Sequence, residues 1–269
     1  MKFIQSGIIS IIFMCLLMSV NARLVHGMQK VHISEHALMN HYNLCLLEQL
    51  ANKVSTGIDR MASGKKQVLV GLGQSPAYLL EMIKLIDAKQ NRSDRRYLNV
   101  AFSGSYFTAS GGEFKIDRWV LPEYIRLGHH YRHYLDKIGL SKEALSATDT
   151  EFIIIEVAHF GEGLISFLDF FSDYPKKPSL IYLQHSLFSP IPLRFSLNSN
   201  RIIINDTEQK LLVALANADQ FKDRLVSHFH FHRWESIDPT TFQPEENAPI
   251  ILHQLQKFIS EKPSSCPHL

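Results

Sequence analysis

Short apolar segments that alternate with helical segments are the feature that most constrains the fold of this chain. The strongest strand signal is the run from Phe152 to Val157, and four further runs stand at 67–70, 97–102, 180–183 and 201–204. These runs are largely apolar rather than alternating, which is typical of strands buried on both faces of a parallel sheet. The sequence therefore predicts an α/β fold with a mostly parallel central sheet and helices on both faces.

Helix signals fill the segments between these strands. Ser34 is the predicted cap of a helix that runs to about Met61, and Pro76 suits the first turn of the next helix. Residues 122–145 predict a helix with a break near Gly139, after which Ser141 caps a short second helix. Further helices are predicted at 164–171, from a cap at Thr207 to about Ala218, and at 250–259.

The composition excludes several classes of protein. The chain has 269 residues, 45% of them hydrophobic and 20% charged, so it is neither disordered nor a low-complexity linker. Its formal net charge is +2, which argues against a general nucleic-acid binder, because such proteins usually carry a strong basic excess. The length suits one large domain.

The amino-terminal segment has the pattern of a secretory signal peptide. Lys2 is followed by an apolar run of 14 residues, Gly7 to Val20, which is short for a membrane span. Val20-Asn21-Ala22 places compact residues at the −3 and −1 sites of a cleavage after Ala22, and Val25-His26-Gly27 is a second candidate site. We therefore expect a signal peptide at 1–22, a single α/β domain at 23–269, and a secreted or periplasmic protein. Contact with a membrane is expected only through the signal segment, if that segment is not cleaved.

Two cysteines, Cys45 and Cys266, lie beyond the signal segment. One alternative is a disulfide between them, formed in an oxidising compartment, which would link the carboxyl-terminal tail to the first helix. Cys45 stands in an apolar helical stretch, so the sequence favours the alternative of a buried free thiol.

The first candidate site follows the strand at 67–70. Its turn contains Gly71, Gly73, Gln74 and Ser75 and leads directly into a helix at Pro76. Glycines allow a close approach of the backbone to an anion, and a helix amino terminus offers unpaired N–H groups, so a phosphate or carboxylate suits this turn. The alternative is a structural strand-to-helix turn.

The same turn also permits a hydrolase interpretation. The segment 73–77 reads G-x-S-x-A after a strand, similar to a nucleophile elbow with Ser75 as the nucleophile. Pro76 argues against it, because the residue after the nucleophile normally donates its N–H to the oxyanion. The candidate general bases are His159, His185 and His228.

The second candidate site is the segment 153–163, an apolar strand that ends in an acid and a glycine-bearing turn. It resembles the phosphoribosyl-pyrophosphate (PRPP) loop of type I phosphoribosyltransferases: Glu156 matches the second acid of the loop and Gly161 matches its turn glycine. The turn at 71–75 would match the pyrophosphate loop of that family. The resemblance implies a phosphoribosyltransferase-like fold, transferase chemistry and possible use of Mg²⁺.

The segment departs from the family motif at two acidic positions, which changes the activity we expect. Ile155 stands where the first acid is found, and His159 stands where the turn acid is found. We therefore expect a small phosphorylated or anionic ligand, with an activity that is altered or lost. Glu156 would bind hydroxyl groups or a metal, and His159 would be the acid–base candidate. The turn residues expected to contact the ligand are Phe160, Gly161, Glu162 and Gly163.

Two weaker candidates complete the set. The loop Ser103-Gly104-Ser105 follows a strand and is expected to face the same crevice, and Arg118 or Arg126 would supply a cation there. His228, His230 and His232 would share one face of a strand and are candidate zinc ligands, although a solvated edge is the simpler interpretation. A secreted effector or binding protein without catalytic activity is the further alternative to both enzyme hypotheses.

Overall fold

Seven strands form two sheets within the part of this chain that the computed structural model describes. The model describes residues 39–62, 64–102, 105, 107–110, 113–158, 161–193, 197–216, 249–261 and 266, which fall into one compact unit. The strands are β1 (Lys66–Leu72), β2 (Arg95–Val100), β3 (Phe107–Ser110), β4 (Glu113–Ile116), β5 (Thr150–Val157), β6 (Ser179–His185) and β7 (Ser199–Ile204).

The larger sheet has the order β2-β1-β5-β6-β7, and every neighbouring pair of its strands is parallel. Its central strands are apolar along their length because both faces are covered: Val70 pairs with Ile154, which pairs with Leu180, and all three are buried. The predicted α/β fold with a parallel central sheet is confirmed.

The strand order places a crevice in the sheet. The chain runs from β1 outward to β2 and then returns to the other side of β1 with β5. The connections from β1 and from β5 therefore leave in opposite directions. In sheets of this order, ligands bind at the carboxyl ends of the two strands where the direction changes. We refer to the space between the carboxyl ends of β1 and β5 as the switch-point crevice.

Helices cover both faces of this sheet. One layer contains α1 (His41–Met61), α2 (Ala77–Lys89), α6 (Asp206–Ala216) and α7 (Pro249–Glu261). The other contains α3 (Leu121–Lys137), α4 (Lys142–Ser146), α5 (Glu162–Leu168) and the 3₁₀-helix Asp169–Phe171. None of the described helices is long and apolar enough to cross a membrane.

Most helix boundaries follow their local signals. Gly139 has a φ of +90° after α3, and the Ser141 side chain accepts from the Ala144 amide, so the predicted break and cap are confirmed. The cap predicted at Thr207 is wrong. Asn205 is the cap, because its Oδ1 accepts from the amides of Thr207 and Glu208, and Glu208 accepts in return from the Asn205 amide.

The start of the first helix also differs from the prediction. Asn40 caps α1, with its side chain accepting from the Asn43 amide at 2.9 Å, while Ser34 lies outside the described residues. A second difference is the antiparallel hairpin β3–β4, for which the sequence analysis predicted no strand. Its sequence signal is the pair Gly111-Gly112 between two short segments with alternating apolar residues.

The interpretation of Cys45 as a free thiol is wrong. Cys45 and Cys266 form a disulfide with their Cα atoms 5.4 Å apart, although 221 positions separate them in sequence. Cys45 is fully buried in α1, so the bond fixes the chain beyond α7 to the first helix.

Candidate functional site

The turn after β1 begins later than predicted. Gly71 and Leu72 still belong to the strand, and the turn proper starts at Gly73, whose φ is +70°. Gly73 donates its amide to the Val100 carbonyl at 2.8 Å. A positive φ is the conformation that glycine adopts without strain, so this position requires glycine for the turn itself.

Gly71 permits a different kind of close approach. A Cβ atom at this position would lie 2.8 Å from Asn99 Oδ1 and 3.2 Å from a methyl group of Leu80. Asn99 stands opposite Gly71 on β2, and its Oδ1 is buried without a hydrogen-bond partner. Asn99 was not among the predicted site residues; the signal that marks it is a polar residue within an apolar strand.

Gln74 is the most unusual residue of the turn. It is only 2% exposed, and neither atom of its side-chain amide has a hydrogen-bond partner. Its backbone carbonyl accepts from the Ala77 amide at 3.1 Å, which places it at the amino terminus of α2. Leaving buried polar groups unpaired costs about 1–3 kcal/mol, and such groups in a native fold require an explanation.

The amino terminus of α2 lacks the usual compensation. Its N-cap is Pro76, no side chain accepts from its amides as a cap, and its first turn contains no acidic residue. A helix of 13 residues carries about half a positive charge at this end. An anion is therefore the natural complement of this end of α2.

The structure does not favour Ser75 as a nucleophile. Ser75 is half-buried, and no described histidine forms a hydrogen bond with it. Both ring nitrogens of His185 are engaged: Nδ1 accepts from the Leu187 amide at 3.2 Å, and Nε2 lies 2.6 Å from Asp206 Oδ1. A histidine held in this way has no free nitrogen with which to take a proton from a hydroxyl.

Glu156 lies close to the carboxyl end of β5. It pairs with Tyr182 on β6, and the residues of its face of the sheet include Ile154 and Ala158 of the apolar core. Burial raises the pKa of Glu156 well above its ordinary value, and only a hydrogen bond from the Val157 backbone opposes the shift. No described lysine, arginine or histidine pairs with this carboxyl group, so the neutral acid is favoured.

Gly161, at the start of α5, packs against the loop after β6. Gly161 has a φ of +85° and is the N-cap of α5, and a Cβ atom there would lie 2.7 Å from a methyl group of Ile191. The glycine therefore serves both the turn and the contact with the loop after β6. Because α5 has only seven residues, its amino terminus is a weaker anion site than that of α2.

The loop after β2 meets this turn. The Ser105 hydroxyl donates to the Glu162 carbonyl at 3.1 Å and lies 2.9 Å from the Ser166 hydroxyl. The structure thus brings one residue of the predicted 103–105 loop to the start of α5, as expected for two loops that face one crevice.

Several predicted residues do not enter this description. Ser103, Gly104, His159, Phe160 and the histidines at 228–232 lie outside the described residues, so their proposed roles stay predictions. The role predicted for Arg126 is not supported, because its guanidinium pairs with Glu123 at 2.7 Å on the exposed side of α3. Arg118 is exposed. Among the described residues, no group of three or more acids, histidines or cysteines is arranged to hold a metal ion.

Comparisons with known proteins add little to this geometry. No family model and no curated protein matches the chain. Among solved structures, the chain is similar to a phosphoheptose isomerase from Francisella tularensis, at 15% identity over 76% of this chain and 98% of that chain, with a TM-score of 0.26. A similarity this low assigns no function.

Proposed function

We propose that this chain is an exported α/β protein that binds a small phosphorylated or anionic ligand in the switch-point crevice. The observation that carries the proposal is the side-chain amide of Gln74, which is buried without any partner just beyond the carboxyl end of β1. A ligand that accepts from and donates to this amide would satisfy both of its atoms.

The anionic character of the ligand follows from the surroundings of Gln74. The uncapped amino terminus of α2 begins three residues after it. An anion bound there would be stabilised by backbone amides and by the helix dipole. The N–H groups of a helix amino terminus need no lysine or arginine for this role.

The proposal also includes a transferase reaction that is changed or lost. Phosphoribosyltransferase-like recognition would use two neighbouring acids on β5, and this chain has Glu156 alone. Ile155 is fully buried, and because side chains alternate along a strand it faces the opposite side of the sheet. The crevice therefore suits binding better than it suits the full reaction of that family.

Export is supported by two features. The amino-terminal segment has the pattern of a signal peptide, and Cys45 and Cys266 are paired in a disulfide. Structural disulfides form and persist mainly in oxidising compartments. Mass spectrometry of the protein recovered from the periplasm or medium is expected to show a chain that begins at Arg23 and contains the disulfide. A cytosolic, uncleaved and reduced chain would contradict the export proposal.

Ligand binding is tested with thermal melts and calorimetry. The probes are inorganic phosphate, sugar monophosphates, and PRPP with Mg²⁺. A ligand at 100 times its Kd adds about 2.7 kcal/mol to the free energy of unfolding, which is a melting shift of about 5–10 °C for a chain of this size. We expect the shift to be lost in Gln74→Leu. Gln67→Leu is the matched control, because Gln67 lies on the strand that precedes Gln74, is also buried, and is bonded to Arg95 instead.

The possible outcomes separate the functions considered. A shift with PRPP and Mg²⁺ that disappears in Glu156→Gln would indicate a working phosphoribosyl site. The absence of a shift with every anion would overturn the ligand-binding proposal. Labelling by a fluorophosphonate that is lost in Ser75→Ala would replace it with the hydrolase hypothesis.

A further inference from the structure

The buried side chains near Glu156 are mostly uncharged. On its face of the sheet the core contains tyrosines, among them Tyr124 and Tyr131 of α3 and Tyr182 of β6. Arg201 of β7 lies on the same face, but two strands away from β5, and its guanidinium donates to the Phe188 carbonyl. The positive end of α2 is the positive charge that stands directly beyond the carboxyl end of β1.

One helix terminus suits one phosphoryl group better than two. A diphosphate carries additional negative charge, and proteins usually neutralise it with Mg²⁺ held by one or two ionised carboxylates. Glu156 does not meet this requirement. Its burial without a cationic partner favours the protonated form, which is a weak ligand for a hard cation.

A neutral carboxyl group and a primary amide have a common property. Each presents hydrogen-bond donors and acceptors side by side, and neither attracts a strongly charged group. Hydroxyl and carbonyl oxygens of a ligand are the natural partners of such groups. Gln74 lies in the turn three residues after Gly71, and Glu156 is one residue after Ile155, the partner of Gly71 in the parallel register of β1 and β5. One small ligand can therefore reach both side chains.

We propose that Gln74 and Glu156 bind the uncharged hydroxyl or carbonyl part of a sugar monophosphate, whose single phosphate lies at the amino terminus of α2 without a divalent cation. This inference rests on the proposed function and narrows it from anionic ligands in general to phosphomonoesters of sugars or related polyols. It also separates this crevice from a magnesium–diphosphate site.

Calorimetry on the exported chain with its disulfide formed tests the inference. The probes are inorganic phosphate, ribose 5-phosphate, glucose 6-phosphate and PRPP, each measured in EDTA and in Mg²⁺. We expect the tightest sugar monophosphate to bind at least tenfold more tightly than inorganic phosphate, with less than a twofold change between EDTA and Mg²⁺.

Substitutions at Glu156 separate its possible roles. Glu156→Gln keeps a neutral donor and acceptor, so the Kd for the sugar monophosphate should stay within about threefold. Glu156→Leu removes both and should weaken that binding about tenfold while leaving the Kd for inorganic phosphate unchanged. Glu151→Gln, at the other end of β5, is the matched control and should leave both affinities unchanged.

The inference and the proposed function fail in distinguishable ways. Binding that requires Mg²⁺, or an equal loss in Glu156→Gln and Glu156→Leu, would overturn the inference. If inorganic phosphate binds through Gln74 but no sugar monophosphate binds more tightly, the inference fails and the proposed function stands. If no phosphate-bearing probe binds, both fail.

Discussion

Glu151 and Glu156 lie five positions apart on the same strand, yet their carboxyl groups have opposite surroundings. Glu151, at the amino end of β5, accepts from the Ser179 hydroxyl at 2.7 Å and pairs with Lys65 at 2.9 Å. Burial alone would raise the pKa of Glu151, but these hydrogen bonds, together with the charges of Lys176 and Lys65, lower it instead. Glu156, near the carboxyl end, has no such partner, and burial raises its pKa.

The same contrast extends across the sheet. At the amino-terminal edge, the guanidinium of Arg95 bonds to Gln67 Oε1 at 2.8 Å and to both Asp87 and Asp59. At the carboxyl-terminal edge, the amide of Gln74 has no partner. The network around Arg95 satisfies buried polar groups within the chain, whereas Asn99 Oδ1 and the amide of Gln74, near the carboxyl ends of β2 and β1, have no partner. Groups left unsatisfied in an otherwise consistent fold are expected at functional sites.

The largest expected effect on stability comes from removing Arg95, which bonds to the buried polar groups at the amino-terminal edge of the sheet. Arg95→Ala leaves Asp87 buried without its cation, because the two side chains are 0% and 3% exposed. Removing one partner of a buried pair typically costs about 3–5 kcal/mol, so the free energy of unfolding measured in urea should fall by that amount. Arg92→Ala is the control, since Arg92 is partly exposed and its partners Asp59 and Asp94 are exposed, so this change should cost only about 1 kcal/mol. Equal losses would contradict the role given to Arg95.

The next effect compares a glycine at each edge. Gly161, after β5, and Gly64, before β1, both have positive φ, but an added Cβ meets Ile191 at Gly161 and nothing within 4 Å at Gly64. Gly64→Ala should cost about 1–2 kcal/mol from backbone strain, and Gly161→Ala about 1–3 kcal/mol more from overpacking. Urea unfolding of the double variant Gly161→Ala/Ile191→Ala checks the cause. Shortening Ile191 should recover the overpacking cost, less the cost of the Ile191 substitution itself, and should leave the backbone strain.

A smaller effect distinguishes the two buried glutamines of β1 and its turn. Gln67→Leu removes the acceptor of Arg95 Nε and should destabilise the fold by about 1–3 kcal/mol. Gln74→Leu removes an amide that has no partner, so the free energy of unfolding should stay the same or rise by about 1 kcal/mol. Urea unfolding without ligand measures both. A loss in Gln74→Leu as large as that in Gln67→Leu would mean that Gln74 serves the fold rather than a ligand.

Local sequence patterns predicted the sheet and the position of the crevice. The apolar run at 152–157 signals a doubly covered strand without knowledge of its neighbours, and the carboxyl ends of such strands are where ligands bind. Gly73 was identified from its turn between a strand and a helix, and Gly161 from the resemblance of segment 153–163 to the phosphoribosyltransferase loop; both have a positive φ in the structure.

Contacts between distant segments were not predictable in this way. Arg95 bonds to Asp59, 36 positions away, and the two cysteines pair across 221 positions. A local pattern carries no information on such distances. Whether the amide of Gln74 has a partner depends likewise on everything that packs around it. The sequence therefore identified Gln74 as a candidate but did not predict that its amide is unpartnered.

The smallest effect is the pH dependence of stability, which should have opposite signs at the two ends of β5. Between the ordinary value of 4.5 and its raised pKa, Glu156 keeps in the folded state a proton that the unfolded chain has lost, so its contribution to stability falls as pH rises. Glu156→Gln should match the parent below pH 4.5 and become more stable than it at higher pH.

The lowered pKa of Glu151 stabilises the fold above pH 4.5, and this contribution is lost as pH falls through the pKa of the folded state. Glu151→Gln should therefore be less stable than the parent at neutral pH and approach it on acidification. Urea unfolding at a series of pH values gives both differences, and two parallel curves would contradict the contrast between the two edges of the sheet.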